Sequence, residues 1–228
     1  MLIYRTPAFL PWIFSNLLWR METKAKEIYL TFDDGPIPGP TEFVLDTLKQ
    51  FNAKATFFCI GENISKHPEI FQQVIIEGHA VGNHTFNHMK GWGTSTEKYV
   101  SNVEMCANEM SKKLPSLGYQ IHQQPGTNFL FRPPYGRIRP KQIKMLKGKY
   151  QIVMWDVLTS DYNISQSPEA CLKGSIKATR PGSIVVFHDS LKAERNMKYA
   201  LPRYLEHFVK QGYVFNKLKR SPNAEVVI

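Results

Sequence analysis

The chain has 228 residues, of which 43% are hydrophobic and 21% are charged, enough to bury one sizeable core in a single domain. This composition and the absence of a fixed repeat exclude a disordered chain, a solenoid and a fibrous protein. Lys and Arg number 29 against 19 Asp and Glu, a net charge of +10, which favours either a polyanionic partner or a merely basic, solvated surface.

The N-terminal segment, residues 1–26, is apolar but is broken by Pro7 and Pro11. It lacks the small-residue cleavage pattern of a signal peptide. No window of the sequence reaches the roughly 18 apolar residues that a membrane-spanning helix needs. We expect this segment to pack on one domain at 27–228, with peripheral contact with a membrane or the envelope as the alternative.

The first regular element is predicted to be a half-buried strand from Glu27 to Asp33, in which apolar and polar side chains alternate. It ends in the turn residues Asp34-Gly35-Pro36. The pattern then predicts a helix at Thr41–Asn52, a buried strand at Ala55–Ile60, a helix opened by Pro68 and closed by Gly78, and a short strand at His79–His84.

A long helix is predicted next, opened by a capping box between Thr94 and Glu97. The residues expected on its inner face are Val100, Val103, Ala107, Met110 and Leu114. Pro115–Asn128 is rich in Gly, Pro and Gln and predicts a loop.

The second half of the chain continues the alternation of strands and helices. Strands are predicted from Phe129, at Gln151–Asp156, at Gly182–His188 and at Tyr213–Leu218, with helices near 141–149, 169–177 and 195–211. Such an alternation predicts an α/β fold with a parallel sheet, and this length favours a (β/α) barrel of about seven strands, similar to a TIM barrel.

Cysteines are few and scattered in this sequence. Cys59, Cys106 and Cys171 are odd in number and widely spaced, so they form neither a disulfide framework nor a Cys-x-x-Cys metal site. We expect buried thiols.

Reactive side chains recur where the predicted strands end. They are Asp33 and Asp34, His84, Arg132, Asp156 and His188. In (β/α) barrels, the carboxyl ends of the strands carry the active site, because side chains from distant positions converge there. The sequence therefore predicts a catalytic site at this end of the barrel.

The histidines His84 and His88 are four residues apart, which on a helix would point both imidazoles the same way, as in helical zinc sites. The spacing alone also fits a solvated helix. An anionic third ligand from Asp33 or Asp34 would complete a site with an open position for water. Adjacent aspartates diverge, so one can bind metal while the other accepts a proton, although Asp-Asp-Gly-Pro also fits a simple turn.

Five motifs follow one another along the chain: Thr31-Phe32-Asp33-Asp34-Gly35-Pro36, His84-Thr85-Phe86-Asn87-His88, Arg132-Pro133-Pro134-Tyr135-Gly136, Trp155-Asp156 with Asp161-Tyr162, and Val186-Phe187-His188. In this order they resemble the motifs of the polysaccharide deacetylases, the NodB homology domain or carbohydrate esterase family four. The resemblance runs from about Ile28 to Leu218 and implies a distorted (β/α) barrel.

The resemblance implies a hydrolase that removes N-acetyl groups from an aminosugar polymer or oligomer of the chitin or peptidoglycan type. It implies a divalent metal, zinc first, with cobalt, nickel or manganese as alternatives. Asp34, His84 and His88 match the metal ligands. Asp33 matches the catalytic base, and Arg132 matches the arginine that holds this base.

His188 matches the general acid, and Asp161 matches the carboxylate that tunes it. The backbone near Tyr135 matches an oxyanion contact, and Tyr162 and Trp155 are expected to line the substrate site. Two departures from the family pattern concern the acetyl pocket, because Tyr162 replaces a tryptophan and Val186 replaces a leucine.

Other readings remain open. On the same fold, the substrate could be a formylated lipid-linked aminosugar, an acetylated xylan or a small linear amide. A basic polyanion-binding module is a different class, supported only by the charge, and no nucleic-acid reader motif is present, so no nucleic-acid partner is expected. The missing export signal favours a cytoplasmic or peripherally membrane-attached protein, whereas the family favours the cell envelope.

Overall fold

The structure is a computed structural model that describes residues 4–113 and 129–219. Its strands are β1 (Glu27–Asp33), β2 (Ala55–Cys59), β3 (Ala80–Asn83), β4 (Phe129–Phe131), β5 (Tyr150–Ile152), β6 (Val157–Leu158), β7 (Ile184–His188) and β8 (Val214–Phe215). Its α-helices are α1 (Phe9–Ile13), α2 (Pro40–Gln50), α3 (Gly61–Lys66), α4 (Pro68–Ile76), α5 (Thr96–Lys113), α6 (Pro140–Leu146), α7 (Pro168–Ala178) and α8 (Glu194–Val209).

The strands form one parallel sheet in the order β5-β4-β3-β2-β1-β7-β6, and β8 pairs with the beginning of β1. The predicted parallel α/β architecture is thereby confirmed. In this register Asp33 lies between Phe58 of β2 and His188 of β7. Because parallel strands point the same way, their carboxyl ends meet at one end of the barrel.

The central strand β1 is buried on both faces, so the prediction of a half-buried strand is wrong. Ile28, Leu30 and Phe32 belong to the apolar layer between the sheet and helices such as α2 and α8. Tyr29 belongs to a second cluster, together with Phe58 of β2. Burial of both faces is the rule for strands in a barrel covered by helices. The alternation therefore places Asp33 on the same face as Tyr29, four residues earlier in the strand.

The N-terminal segment pairs with the sheet where β5 and β6 do not pair with each other. Leu18 N–H donates to Ile152 O at 2.9 Å, and Met154 N–H donates to Leu18 O at 2.7 Å. Farther along, Leu158 N–H donates to Tyr4 O at 2.8 Å. These bonds satisfy backbone groups that an open sheet edge would leave unpaired. No helix in the described ranges is both long and apolar enough to cross a membrane.

The long helix α5 begins later than predicted, and its buried face is shifted from the predicted one, with Val103 common to both. Lys98 N–H donates to Ser95 Oγ at 3.3 Å, and the Thr94 hydroxyl donates to Lys90 O instead. The predicted capping box is therefore wrong. The buried residues of this helix are Thr96, Tyr99, Asn102, Val103 and Cys106. The inward-facing Asn102 accepts the backbone N–H of Phe86 at 3.0 Å, a role that apolar periodicity does not reveal.

Of the predicted strand Gln151–Asp156, only the first two residues lie in a strand, β5, because Met154 and Asp156 bond to the N-terminal segment and β6 begins after Asp156. All three cysteines are free and buried, as predicted. The predicted loop Pro115–Asn128 and the predicted helix residue Leu114 lie outside the described residues.

Candidate active site

A cavity of about 620 Å³ opens at the carboxyl ends of the strands. Its lining residues are Asp33, Asp34, His84, His88, Tyr135, Arg137, Trp155, Leu158, Tyr162, Val186, His188, Ser190 and Lys192. We call it the cleft. A second, apolar cavity of about 330 Å³ adjoins it and shares Tyr135, Trp155 and Leu158.

Asp34, His84 and His88 form the one group of potential metal ligands found among the described residues. Asp34 Oδ1 lies 3.2 Å from His88 Nε2 and 3.7 Å from His84 Nε2. All their ligand atoms lie within 4.8 Å of one another. Two imidazoles and a carboxylate at such separations can converge on a single ion.

The two histidines are carried by a loop and not by the helix that their spacing suggested. His84 follows β3, and helical structure resumes only at Thr96. Thr85 and His88 both have a positive φ, 66° and 57°, which a helix does not allow. Asn83 Oδ1 accepts Thr85 N–H at 2.8 Å, and Thr85 Oγ1 accepts Met89 N–H at 2.9 Å. These side-chain hydrogen bonds to the backbone fix the loop that carries both imidazoles.

The surroundings of His84 suit a metal ligand. Its Nδ1 lies 2.8 Å from Arg132 O, and because a carbonyl oxygen only accepts, Nδ1 carries the proton and Nε2 keeps its lone pair. Burial, reinforced by His88, lowers the pKa of His84 to about 4 despite the opposing effect of Asp33. The imidazole is therefore neutral near pH 7, the form that binds metal. These donors fit a divalent ion.

Asp33 is held in a buried ion pair with Arg132. Arg132 Nη1 donates to Asp33 Oδ1 at 2.7 Å and to Thr31 Oγ1 at 2.7 Å, and Nη2 donates to Met154 O at 2.8 Å. Burial alone would raise the pKa of Asp33, but the charge of Arg132, supported by His188 and by the hydrogen bond from Arg132, outweighs it and holds this pKa below its usual range. Asp33 is consequently an ionised carboxylate at neutral pH.

His188 and Asp161 form a second pair at the cleft. His188 Nδ1 lies 2.7 Å from Asp161 Oδ1, and the His188 backbone N–H donates to Asp161 Oδ2 at 2.8 Å. The Tyr162 ring meets the imidazole edge-on, with centroids 5.0 Å apart. Burial would lower the pKa of His188, but Asp161 more than reverses this effect and raises the pKa to about 9. The imidazolium form is therefore favoured at neutral pH.

Tyr135 and Trp155 line the cleft on the side of His88. Tyr135 has φ of 60°, a strained conformation for a tyrosine, and its ring centroid lies 4.6 Å from that of His88. Trp155 lies between the two cavities. Of the substrate-binding residues predicted from the sequence, Tyr135, Tyr162 and Trp155 all reach the cleft.

Asp156 does not reach the cleft, contrary to the prediction. It is buried and accepts the Ser183 hydroxyl at 2.6 Å and the Arg180 guanidinium at 3.3 Å. Ser183 precedes β7, so Asp156 lies at the opposite end of the barrel from His188. Asp156 directly precedes β6 and does not end a strand, which accounts for the difference.

Asp189 is a buried acid beside the site that sequence reasoning missed. Its Oδ1 accepts Gly35 N–H at 3.0 Å, and its Oδ2 accepts the Thr41 hydroxyl at 2.7 Å. A Cβ on Gly35 would lie 2.0 Å from Asp189 Oδ2, so only glycine permits this approach. Asp189 thereby anchors the turn that presents Asp34. Its position directly after His188 at a strand end was the available signal.

The sequence is similar to those of known proteins. Residues 20–150 match the family profile described as polysaccharide deacetylase. A peptidoglycan-N-acetylglucosamine deacetylase of Bacillus cereus is 34% identical over 199 residues, 86% of this chain and 88% of the relative. A peptidoglycan-N-acetylmuramic acid deacetylase of Bacillus subtilis is 32% identical over 86% of this chain and 71% of the relative.

Among solved structures, a peptidoglycan N-acetylglucosamine deacetylase in complex with a naphthalenyl N-hydroxybenzamide superimposes with a TM-score of 0.80. The two chains are 29% identical, and the match covers 93% of this chain and 95% of the other. The likeness thus extends over the whole barrel.

Proposed function

The chain belongs to the polysaccharide deacetylase family, and we propose that it is a metal-dependent hydrolase that removes N-acetyl groups from the aminosugars of peptidoglycan or a related acetylated glycan. The observation that carries this proposal is the convergence in one cleft of three groups: the ligand cluster of Asp34, His84 and His88, the base Asp33 and the acid His188. Relatives that act on peptidoglycan favour the cell envelope as the place of action.

We infer that Asp34, His84 and His88 hold the metal, with zinc as the ion that the mixed nitrogen and oxygen donors favour. Bound there, a divalent metal supplies a Lewis acid that activates water and polarises the acetamide carbonyl. Asp33 is not part of this ligand cluster, and its Oδ1 is engaged by Arg132 Nη1.

Asp33 is proposed to accept the proton of the attacking water. Arg132 keeps this carboxylate ionised and fixes its orientation. Its lowered pKa makes Asp33 available over a wide pH range, although it also makes it a weaker base. The ion pair therefore keeps Asp33 ionised and oriented, at the cost of a weaker base.

His188 is proposed to donate a proton to the departing sugar nitrogen. Because Nδ1 is engaged by Asp161 Oδ1, Nε2 is the donor left for the substrate. An amine leaves readily only when protonated, so hydrolysis of an amide requires such an acid. The pKa of about 9 keeps His188 protonated at neutral pH.

The direct test is release of acetate by the metal-loaded protein from peptidoglycan and from N-acetylglucosamine oligomers. Acetylated xylan and a formylated aminosugar serve as the competing substrates. Acetate from the aminosugar substrates, with less product from the other two, is expected. Turnover of only acetylated xylan or only the formylated aminosugar would contradict the proposed substrate class.

The His88→Ala variant is expected to lose the bound metal, because two ligands hold an ion far more weakly than three. The measurement is the metal content of the purified protein by mass spectrometry after dialysis. His67→Ala, outside the ligand cluster, serves as the matched control and should keep about one equivalent. A full equivalent of zinc in His88→Ala would show that the ligands are assigned wrongly.

The Asp161→Asn variant is expected to move the alkaline limb of the pH profile to lower pH. The acid must be protonated, so activity falls as pH rises through the pKa of His188, and removal of the Asp161 charge, the largest effect that raises this pKa, should lower it. The limb is measured from kcat/KM on an N-acetylglucosamine oligomer. An unmoved limb would mean that another group sets it.

This substitution also affects folding, because both oxygens of Asp161 accept backbone N–H groups, those of Tyr162 and His188. An asparagine amide placed there confronts one of these donors in either orientation. The thermal unfolding temperature is therefore measured alongside, and the profile is recorded well below it.

A further inference from the structure

Two cations on opposite sides of the cleft have no anionic partner. Arg137 follows β4 and Lys192 follows β7, and both line the cleft. Within residues 4–113 and 129–219, neither forms a salt bridge with a carboxylate. Strands β4 and β7 lie on either side of β1, which carries Asp33, in the order of the sheet. The two charges therefore flank the reaction centre.

Each of these cations rests on an aromatic ring. The Arg137 guanidinium carbon lies 5.4 Å from the centre of the Trp92 ring, and Lys192 Nζ lies 5.6 Å from the centre of the Tyr162 ring. Trp92 is itself fixed by the bond from its Nε1 to Ile138 O at 3.2 Å. A ring face restrains the direction of the side chain and leaves the positive charge uncompensated. Each cation is thus held over a ring, and its charge stays available to a ligand.

The carboxylates in and beside the cleft are paired with other groups and do not neutralise Arg137 or Lys192. Asp33 is neutralised by Arg132, and Asp161 is neutralised by the imidazolium of His188. Asp34 faces His84 and His88. Arg137 and Lys192 consequently give the two ends of the cleft a positive potential that attracts anions.

We propose that Arg137 and Lys192 bind carboxylates carried by the sugars on either side of the reacting N-acetyl sugar. This inference rests on the proposed function and narrows its substrate class to an acidic glycan. A neutral reacting sugar between acidic neighbours is the pattern of a chain in which N-acetylglucosamine alternates with N-acetylmuramic acid. The carboxylate is either the lactyl group or, where that group is amidated, an acid of an attached peptide.

The experiment measures binding by calorimetry, using the metal-loaded protein and three ligands, of which the first two differ only in charge. The first is a tetrasaccharide of alternating N-acetylglucosamine and N-acetylmuramic acid with free lactyl carboxylates. The second is the same tetrasaccharide with primary amides in their place, and the third carries short peptides with free carboxylates on the lactyl groups. The R137Q/K192Q double variant is compared with Lys177→Gln, a substitution of an exposed lysine on α7.

The unsubstituted protein should bind the better of the two acidic glycans about tenfold more tightly than the amide at low salt, with a smaller ratio at high salt. The double variant should bind acid and amide about equally, whereas Lys177→Gln should keep the preference. Preference for the lactyl or the peptide form identifies the source of the carboxylate, and either supports the proposal. Equal binding of acid and amide by the unsubstituted protein, or a preference that survives in the double variant, overturns it.

Acetate release from the same ligands and from neutral N-acetylglucosamine oligomers is recorded separately. No release from any glycan would refute the proposed deacetylase activity while the binding ratio still decides the role of Arg137 and Lys192. Release without a binding preference would refute only the role of the two cations.

Discussion

His188→Ala is expected to lower the rate of deacetylation of an aminosugar amide by a factor of about 100 to 10,000, the range for a lost general acid. The same variant should largely keep its activity toward an activated ester such as nitrophenyl acetate. The nitrophenolate leaves as a stable anion and needs no proton, whereas the sugar nitrogen does. The ratio of the two activities, measured on one preparation, therefore isolates the protonation step.

Metal content and unfolding temperature are controls for this variant, because removal of the imidazole also removes the ring packed against Tyr162. His207→Ala, on the last turn of α8, is the matched substitution outside the cleft. Equal losses on amide and ester would indicate a damaged site. Equal retention would show that another residue donates the proton.

The sequence predicted the barrel and the end of it that carries the site with good accuracy. The alternation of apolar and polar residues gave the bounds of β1 as Glu27–Asp33, as observed. Polar residues at strand ends pointed to the cleft because parallel strands bring their carboxyl ends together, whatever lies between them in the chain. The prediction failed for Asp156, which precedes β6 and therefore lies at the opposite end of the barrel from the cleft.

The local backbone geometry at the proposed metal ligands was harder to predict from the sequence. The spacing of His84 and His88 suggested a helix, but the chain forms a loop in which two residues take left-handed conformations. Such a loop depends on hydrogen bonds to the side chains of Asn83 and Thr85, which leave no periodic pattern. Asp189 escaped notice for a related reason, since its contact with Gly35 joins residues 154 positions apart.

The net charge of the sequence does not predict where Arg137 and Lys192 lie in the structure. A charge of +10 predicts an affinity for anions without saying where they bind. The positions of these two side chains follow from the placement of β4 and β7 in the sheet, which composition does not contain.

Asp33→Asn is expected to lower turnover by a factor of about 100 or more, because the amide does not accept the proton of the attacking water. Metal binding should remain close to one equivalent, since Asp33 is not among the clustered ligands. The measurements are kcat on an N-acetylglucosamine oligomer and metal content after dialysis. Asp46→Asn, an exposed substitution on α2, is the matched control.

The energetics of Arg132 decide how this variant should be interpreted. Loss of one partner of a buried ion pair destabilises a protein by about 3 to 5 kcal/mol, and Arg132 is fully buried. Its guanidinium nevertheless keeps Thr31 Oγ1 and Met154 O as acceptors, and the asparagine oxygen can replace one carboxylate oxygen. We therefore expect a lower unfolding temperature with the fold retained. A metal-loaded, folded variant with unchanged acetate release would remove Asp33 from the mechanism, whereas loss of metal together with activity would place it among the ligands.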